Sequence, residues 1–172
     1  MKKVLVFALI AVFALSLSSC GKKKEKTNTE KLCIEKGWVL SSATAAPYYV
    51  NSDGDQIHDI YNDYLEDFEK DDIIVFNTNY SQIIKPGSKL PTEEDSFGYT
   101  AEVAATWEFA SDETELKFQI PFFYDESGRK YDADIETAKI TLSETALTII
   151  YTYNVVDTKE ACTFTLNYVP AK

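Results

Sequence analysis

The sequence predicts an all-β domain with one short helix, in which about eight strands form a small up-and-down antiparallel β-barrel or a strongly curved sheet. Two observations predict this class. Apolar and polar residues alternate along most of the second half of the chain, which is the pattern of strands with one buried face and one hydrated face. Short polar segments rich in Ser, Thr, Asp and Asn separate these runs, as expected for tight turns between neighbouring strands.

The first part of the domain is predicted to contain three strands and the helix. The strands are residues 37–44, 72–77 and 80–85. Between the first two, apolar residues recur at spacings of three, four and seven, which is typical of one face of an amphipathic helix. These apolar residues are Ile57, Ile60, Tyr61, Tyr64, Leu65 and Phe68, with acidic and amide side chains on the other face.

The middle of the chain is predicted to form a hairpin. The buried row of its first strand is Val103, Ala105, Trp107 and Phe109, and that of its second strand is Leu116, Phe118 and Ile120. Residues 111–114, Ser-Asp-Glu-Thr, supply the turn between them. Because this turn is short, we expect the two strands to be antiparallel neighbours.

The last part of the chain is predicted to contain three more strands. A strand with Ala138, Ile140 and Leu142 on one face ends at a turn over residues 143–145, and the long strand 146–156 follows. The buried row of that strand is Ile149, Tyr151, Tyr153 and Val155, and that of the final strand is Cys162, Phe164, Leu166 and Tyr168. The longest predicted loops are residues 86–97, which include an acidic run, and 121–134. Loops of this length often carry function in β domains.

The N-terminus has the pattern of a bacterial lipoprotein leader. Lys2 and Lys3 precede an apolar run over residues 4–15, which is too short for the roughly 20 residues that a membrane-spanning helix needs. Residues 17–20, Leu-Ser-Ser-Cys, follow as the predicted cleavage site, where the Cys20 thiol would accept a diacylglycerol. The alternative is an ordinary secretory signal with a chance cysteine. The predicted organisation is a signal peptide (1–19), a lipidated tether (20–31) and a barrel domain (32–172).

The composition limits the location and the partners of the mature chain. Residues 21–30 are polar and basic without apolar anchors, as in a flexible tether. We expect an outer-membrane lipoprotein held at the membrane through the lipid on Cys20, on the periplasmic face rather than the cell surface. The full chain carries a net charge of -11, which disfavours nucleic acid as a partner. Export to an oxidising compartment leaves Cys33 and Cys162 either disulfide-bonded or as two free thiols.

No residue pattern identifies a reaction, and we predict a non-enzymatic protein without a cofactor or a bound metal. His58 is the only histidine and is expected at the surface. Residues 51–55, Asn-Ser-Asp-Gly-Asp, are similar to the start of a calcium loop. That motif needs glycine at its sixth position and glutamate at its twelfth, where this chain has Gln56 and Asn62, which favours a turn that caps the helix. Acidic residues at 125–126, 132 and 134 are expected to be solvated loop charges.

The order of these elements resembles the lipocalin-like domain lipoproteins of Bacteroidetes-type bacteria. The residues that carry the resemblance are 37–40 in the opening strand, 57–61 in the helix, 71–76 in the next strand, 106–109 with 116–118 in the hairpin, and 140–142 with 146–149. The chain lacks the cysteine pair of that family's pattern. It has Asn77, Thr78 and Asn79 where a glycine commonly turns the chain, and we expect asparagine to adopt the left-handed geometry there.

The resemblance implies a lipocalin-like barrel with an apolar cavity, in which the first strand lies next to the last. On that basis we predict a disulfide between Cys33 and Cys162. The predicted function is the binding of a small apolar or amphipathic ligand, with aromatic residues at the barrel mouth as candidates, although core packing is their alternative role. These are Tyr48, Tyr49, Phe122, Phe123, Tyr124, Tyr151 and Tyr153. The alternative function is a protein-interaction or inhibitor module that uses the acidic loop 86–97.

Overall fold

The computed structural model describes residues 25–51, 53–89, 103–118, 136–154 and 161–172. Its short helices are α1 (Asn28–Leu32), α2 (Ile60–Asp63) and α3 (Asp67–Lys70). Its strands are β1 (Trp38–Val50), β2 (Gln56–Asp59), β3 (Ile73–Phe76), β4 (Ser81–Lys85), β5 (Val103–Thr106), β6 (Glu108–Ala110), β7 (Glu115–Phe118), β8 (Glu136–Leu142), β9 (Leu147–Asn154) and β10 (Ala161–Pro170). None of the helices in these ranges is long and apolar enough to cross a membrane.

The strands form one antiparallel, nearly closed barrel, which confirms the predicted fold class. Strands β3 to β5 lie beside one another in chain order, strands β6 to β10 do the same, and β1 lies between β3 and β10. The first long strand therefore pairs with the last, as expected, with Trp38 opposite Pro170 and Ala45 opposite Phe164. The described part of the chain has ten strands rather than about eight, because β2 adds a partner to β1 and one predicted strand is divided in two.

That divided strand closes the barrel. The run predicted as a single strand over residues 102–109 breaks at Trp107, so that its first half, β5, pairs with β4 and its second half, β6, pairs with β7. Each half forms backbone hydrogen bonds with a different neighbouring strand. The two edge strands of the sheet, β5 and β6, are therefore consecutive in the chain and separated only by Trp107. Trp107 consequently lies at the seam of the barrel.

The predicted alternation of the later strands is confirmed for their described side chains. Fully or nearly fully buried side chains on β7, β8, β9 and β10 are Leu116, Phe118, Ala138, Leu147, Ile149, Tyr151, Cys162, Phe164, Leu166 and Tyr168. They pack in one hydrophobic cluster with residues of β1 and β3. The inward-facing side chains of these strands therefore pack against one another.

The predicted amphipathic helix over residues 57–68 is wrong. The segment begins with β2, which pairs with the end of β1, where Tyr49 lies opposite Ile57 and Val50 opposite Gln56. Helical structure is limited to the short α2 and α3, and the Asp59 carboxylate caps α2 by accepting a hydrogen bond from the Asn62 amide at 3.0 Å. Since β1 continues to Val50 rather than ending at residue 44, it offers a strand edge that β2 occupies.

Residues 51 and 53–55 belong to the turn between β1 and β2 rather than to a cap for a helix. The Asn51 side-chain oxygen accepts hydrogen bonds from the amides of Asp53 at 3.1 Å and Asp55 at 2.8 Å. Its oxygen is thus used by the turn itself. No group of three or more His, Cys, Asp or Glu side chains in the described ranges could hold a metal ion.

The helix α1 covers the predicted boundary between the tether and the barrel domain at residue 32. Thr27 and Glu30 form a capping box at its start. Leu32 is fully buried, and the indole Nε1 of Trp38 donates a hydrogen bond to its carbonyl at 2.8 Å. The leader and the predicted lipidation site Cys20 lie outside the described residues.

The structure does not contain the predicted disulfide, because Cys33 and Cys162 are both free thiols. Cys33 ends α1 near Trp38, at the end of the barrel where Trp38 pairs with Pro170. Cys162 lies eight residues before Pro170, and eight strand residues span about 26 Å. The pairing of β1 with β10 was predicted correctly, but its register places the two cysteines at opposite ends.

Candidate functional site: a cleft at the barrel seam

A cleft of about 860 Å³ lies beside the break between β5 and β6. This volume falls in the range of pockets that bind small molecules. The lining residues come from α1, the turn before β4, the seam and the β6–β7 hairpin. They are Thr29, Tyr80, Thr106, Trp107, Glu108, Phe109, Glu113 and Lys117.

Trp107 joins the two sides of the seam. Its backbone amide donates to the carbonyl of Tyr80 at 3.0 Å, and its indole Nε1 donates to the carbonyl of Asn77 at 3.1 Å. The side chain is only 2% exposed. Trp107 thus fixes the β3–β4 turn against the strand break with both of its N–H groups.

Tyr80 occupies an unusual backbone conformation in that turn. The Tyr80 amide donates to the Asn77 carbonyl, the Asn77 amide donates to the Ser81 carbonyl, and Tyr80 has φ of 65°. Residues 78–80 thus form a three-residue hairpin loop, and Tyr80 is its left-handed last residue, where glycine is usual. The expected left-handed asparagine is therefore wrong, since Tyr80 takes that conformation.

The ring of Tyr80 is the exposed part of an aromatic cluster. Its centroid lies 5.3 Å from that of Trp107, and the side chain remains 60% exposed. Trp107 in turn contacts Phe109 at 5.3 Å and Phe76 at 5.9 Å, both edge to face. The cluster connects the cleft surface to the hydrophobic core and holds the rings in a defined arrangement.

The polar side of the cleft is set by the β6–β7 hairpin. Glu108 and Lys117 lie opposite each other in the ladder and form an ion pair of 2.8 Å. The turn holds Ser111, Asp112 and Glu113 in three consecutive left-handed conformations, with φ of 48°, 57° and 63°. Glu113 makes no ion pair with a described residue. The described lining thus combines aromatic rings, two threonine side chains, the ion pair of Glu108 with Lys117, and the Glu113 carboxylate.

The aromatic residues proposed from the sequence lie elsewhere. Tyr49 contacts Phe164 at 5.9 Å, and Tyr151 stacks on Phe164 at 5.1 Å, at the end of the barrel opposite Trp38. Tyr48 meets the exposed His58 edge to face at 5.9 Å. Residues 122–124 lie outside the described residues, and so does the side chain of Tyr153. The described members of this set pack mainly against other rings and do not line the cleft.

The two cysteines and the described start of the acidic loop, residues 86–89, are not among the residues that line the cleft. Burial raises the pKa of both the Cys33 and the Cys162 thiols, which lowers their thiolate fraction and their reactivity. Of the loop 86–97, residues 86–89 are described. The Asp71 carboxylate accepts hydrogen bonds there from the amides of Ser88 at 2.8 Å and Lys89 at 3.0 Å. The start of the loop is therefore tied to the end of α3.

Tyr80 and Glu113 were not among the site residues predicted from the sequence. A usable signal was present for Tyr80, because an aromatic residue follows Asn-Thr-Asn at the position where a hairpin loop usually has glycine. No comparable signal marked Glu113, which lies in an ordinary polar turn sequence.

Comparisons with known proteins add no relative. No protein-family model matches the chain, and no curated protein or solved structure matches it. The resemblance to lipocalin-like lipoproteins therefore stays a prediction from the sequence.

Proposed function

We propose that this chain is a membrane-anchored bacterial lipoprotein with a non-enzymatic barrel that binds a small amphipathic ligand in the seam cleft. The observation that carries the proposal is Tyr80, a bulky aromatic residue in a left-handed conformation with its ring exposed at the wall of the cleft. A left-handed backbone costs a non-glycine residue about 1–2 kcal/mol. Such strained positions are concentrated at functional sites.

The packing of the described interior supports the cleft as the binding site. The inward rows of β7 to β10 belong to a single buried cluster, with Trp38, Phe118 and Leu166 almost fully excluded from solvent. The cleft, in contrast, presents rings and polar groups side by side. A ligand with an apolar body and a polar group matches such a lining.

The lipid anchor is supported by the sequence alone, through the basic start, the apolar run and the segment 17–20. Labelled palmitate should be incorporated into the full chain in its own host, and Cys20→Ala should abolish the labelling. Equal labelling of the variant would contradict the anchor. Protease treatment of intact cells tests the predicted periplasmic face, because a periplasmic domain would be protected.

The ligand can be tested on protein purified from its own host. Native mass spectrometry of the full chain should reveal a bound small molecule that is lost from Tyr80→Ala. Tyr64→Ala is the matched control, because Tyr64 is also a surface tyrosine, 42% exposed, with its ring 5.3 Å from that of Tyr49. A ligand retained by both variants would place binding elsewhere. A bound protein in place of a small molecule would favour the interaction module.

A further inference from the structure

We infer that the ligand of the seam cleft is an organic cation, with a positive charge next to an apolar or aromatic body. This inference rests on the proposed function and specifies the ligand class for the same site. It follows from the charges and the exposed ring that two separate turns bring to one cleft.

The charged groups among the described lining residues leave a net negative charge. Of these residues only Lys117 is cationic, and it is paired with Glu108 at 2.8 Å. Glu113 adds a second carboxylate that has no ion-pair partner among the described residues. An anionic ligand would meet this carboxylate and a chain with a net charge of -11, whereas a cation would be attracted by both.

The exposed ring of Tyr80 provides the second attraction. An aromatic ring carries negative charge density on its face and binds cations placed within about 6 Å of its centroid. Tyr80 is supported by Trp107 at 5.3 Å and remains 60% exposed, so ring surface remains available to a ligand. An apolar or aromatic part of the same ligand could pack against Phe109 and the remaining ring surface.

Both features are held in position by left-handed backbone. Tyr80 belongs to the β3–β4 turn with φ of 65°, and Glu113 belongs to the β6–β7 turn with φ of 63°. The two turns are far apart in sequence, yet both residues line the same cleft. A carboxylate and an exposed ring on one cleft is the combination that recognises ammonium and other organic cations.

Three probes with the same aromatic ring and different charges test the ligand class: benzyltrimethylammonium, benzyl alcohol and phenylacetate. Binding is measured by isothermal titration calorimetry on the full chain in lipid nanodiscs, with empty nanodiscs subtracted. We expect the cation to bind about tenfold more tightly than benzyl alcohol, and phenylacetate to bind most weakly. The preference for the cation should shrink as the salt concentration rises, because salt screens exposed charges.

Glu113→Gln should weaken binding of the cation about fivefold while leaving benzyl alcohol unchanged, because the amide keeps the shape and removes the charge. Glu35→Gln is the matched control, since Glu35 is exposed and does not line the cleft, and it should leave all three affinities unchanged.

Benzyl alcohol or phenylacetate binding as tightly as the cation would overturn the ligand class, and so would a lack of cation binding. Neither result decides the proposed function. That function is tested separately, by whether a ligand that co-purifies with the unmodified chain from its own host is absent from Tyr80→Ala.

Discussion

Tyr80 shows how a single residue departs from what its local structure favours. The left-handed position at the end of the β3–β4 turn suits glycine, because a Cβ there crowds the following carbonyl. Tyrosine is accommodated because its backbone carbonyl accepts the Trp107 amide and its ring lies against the Trp107 indole. The backbone cost is thereby offset in part by contacts that place a ring at the cleft.

The cost of that conformation can be measured by comparing two variants that both lack the ring. Tyr80→Gly should have a free energy of unfolding about 1 kcal/mol higher than Tyr80→Ala, because only glycine adopts the left-handed position without strain. Urea unfolding gives both values. The same pair at Thr78, which is not among the residues with positive φ, should show the opposite order, with alanine more stable. Equal stabilities at Tyr80 would contradict the strain.

Glu69 gives a pH-dependent effect of known sign. Burial raises the pKa of its carboxyl, although its Oε2 also accepts the Glu66 amide at 2.8 Å. A raised pKa means that ionisation destabilises the folded state. The penalty is absent at acidic pH, where folded and unfolded chains are both protonated, and it develops as the pH rises above about 4.3, the pKa of an unperturbed glutamate.

Glu69→Gln should therefore be more stable than the unmodified chain at pH 7, and this difference should disappear near pH 3. The glutamine oxygen can still accept the Glu66 amide, so the cap is kept. Urea unfolding across this pH range measures the difference. Glu35→Gln removes an exposed carboxylate from the same acidic chain and serves as the control for net charge. A constant difference at all pH values would contradict the effect of burial.

At the scale of elements, the turn before β1 depends on one glycine. Gly37 has φ of 76°, and its carbonyl accepts the Ala171 amide at 2.9 Å, which links the start of β1 to the end of β10. A Cβ built on Gly37 would lie 2.6 Å from the Ile74 carbonyl oxygen and 2.8 Å from the Ile73 side chain. The contact with backbone leaves little room for adjustment.

Gly37→Ala should consequently lower the free energy of unfolding by about 3 kcal/mol, through the left-handed cost and the clash together. Gly54→Ala is the matched control, because Gly54 has φ of 87° but nothing within 4 Å of the added Cβ. It should lose only about 1 kcal/mol. Chemical denaturation of both variants checks the difference, and equal losses would show that the crowding at Gly37 is relieved by local movement.

The elements also differ in how far the sequence predicted them. The period-two pattern of β8, β9 and β10 was sufficient, because each strand buries one face and its neighbours in the chain are its neighbours in the sheet. The helical spacing of the apolar residues over 57–68 gave a wrong prediction, because Ile57, Ile60 and Leu65 are buried as expected but the backbone begins as a strand. The spacing of apolar residues in so short a segment does not determine whether its backbone is helical or extended. Here the start of the segment is extended because it pairs with the edge of β1.

At the scale of the whole molecule, the register between β1 and β10 separates the two described cysteines. Alkylation of the unreduced, denatured chain should modify both Cys33 and Cys162, with the sites identified by peptide mass spectrometry. Prior reduction should not increase the yield at either site. Under native conditions we expect slow modification, because burial raises the pKa of both thiols. If the two cysteines of the denatured chain were alkylated only after reduction, the predicted disulfide would be supported instead.

The sequence by itself determined the fold class and the buried rows of the later strands, because alternation with short turns leaves few ways to bury one face. Only the tertiary structure decided the division of one strand at Trp107, the left-handed conformation of Tyr80 and the placement of Tyr80 and Glu113 on the lining of one cleft. These three features depend on the near closure of the sheet into a barrel. In that arrangement the two halves of one strand pair with different neighbours, and turns that are distant in sequence line the same cleft. Closure is a property of the whole barrel, and no local pattern of residues encodes it.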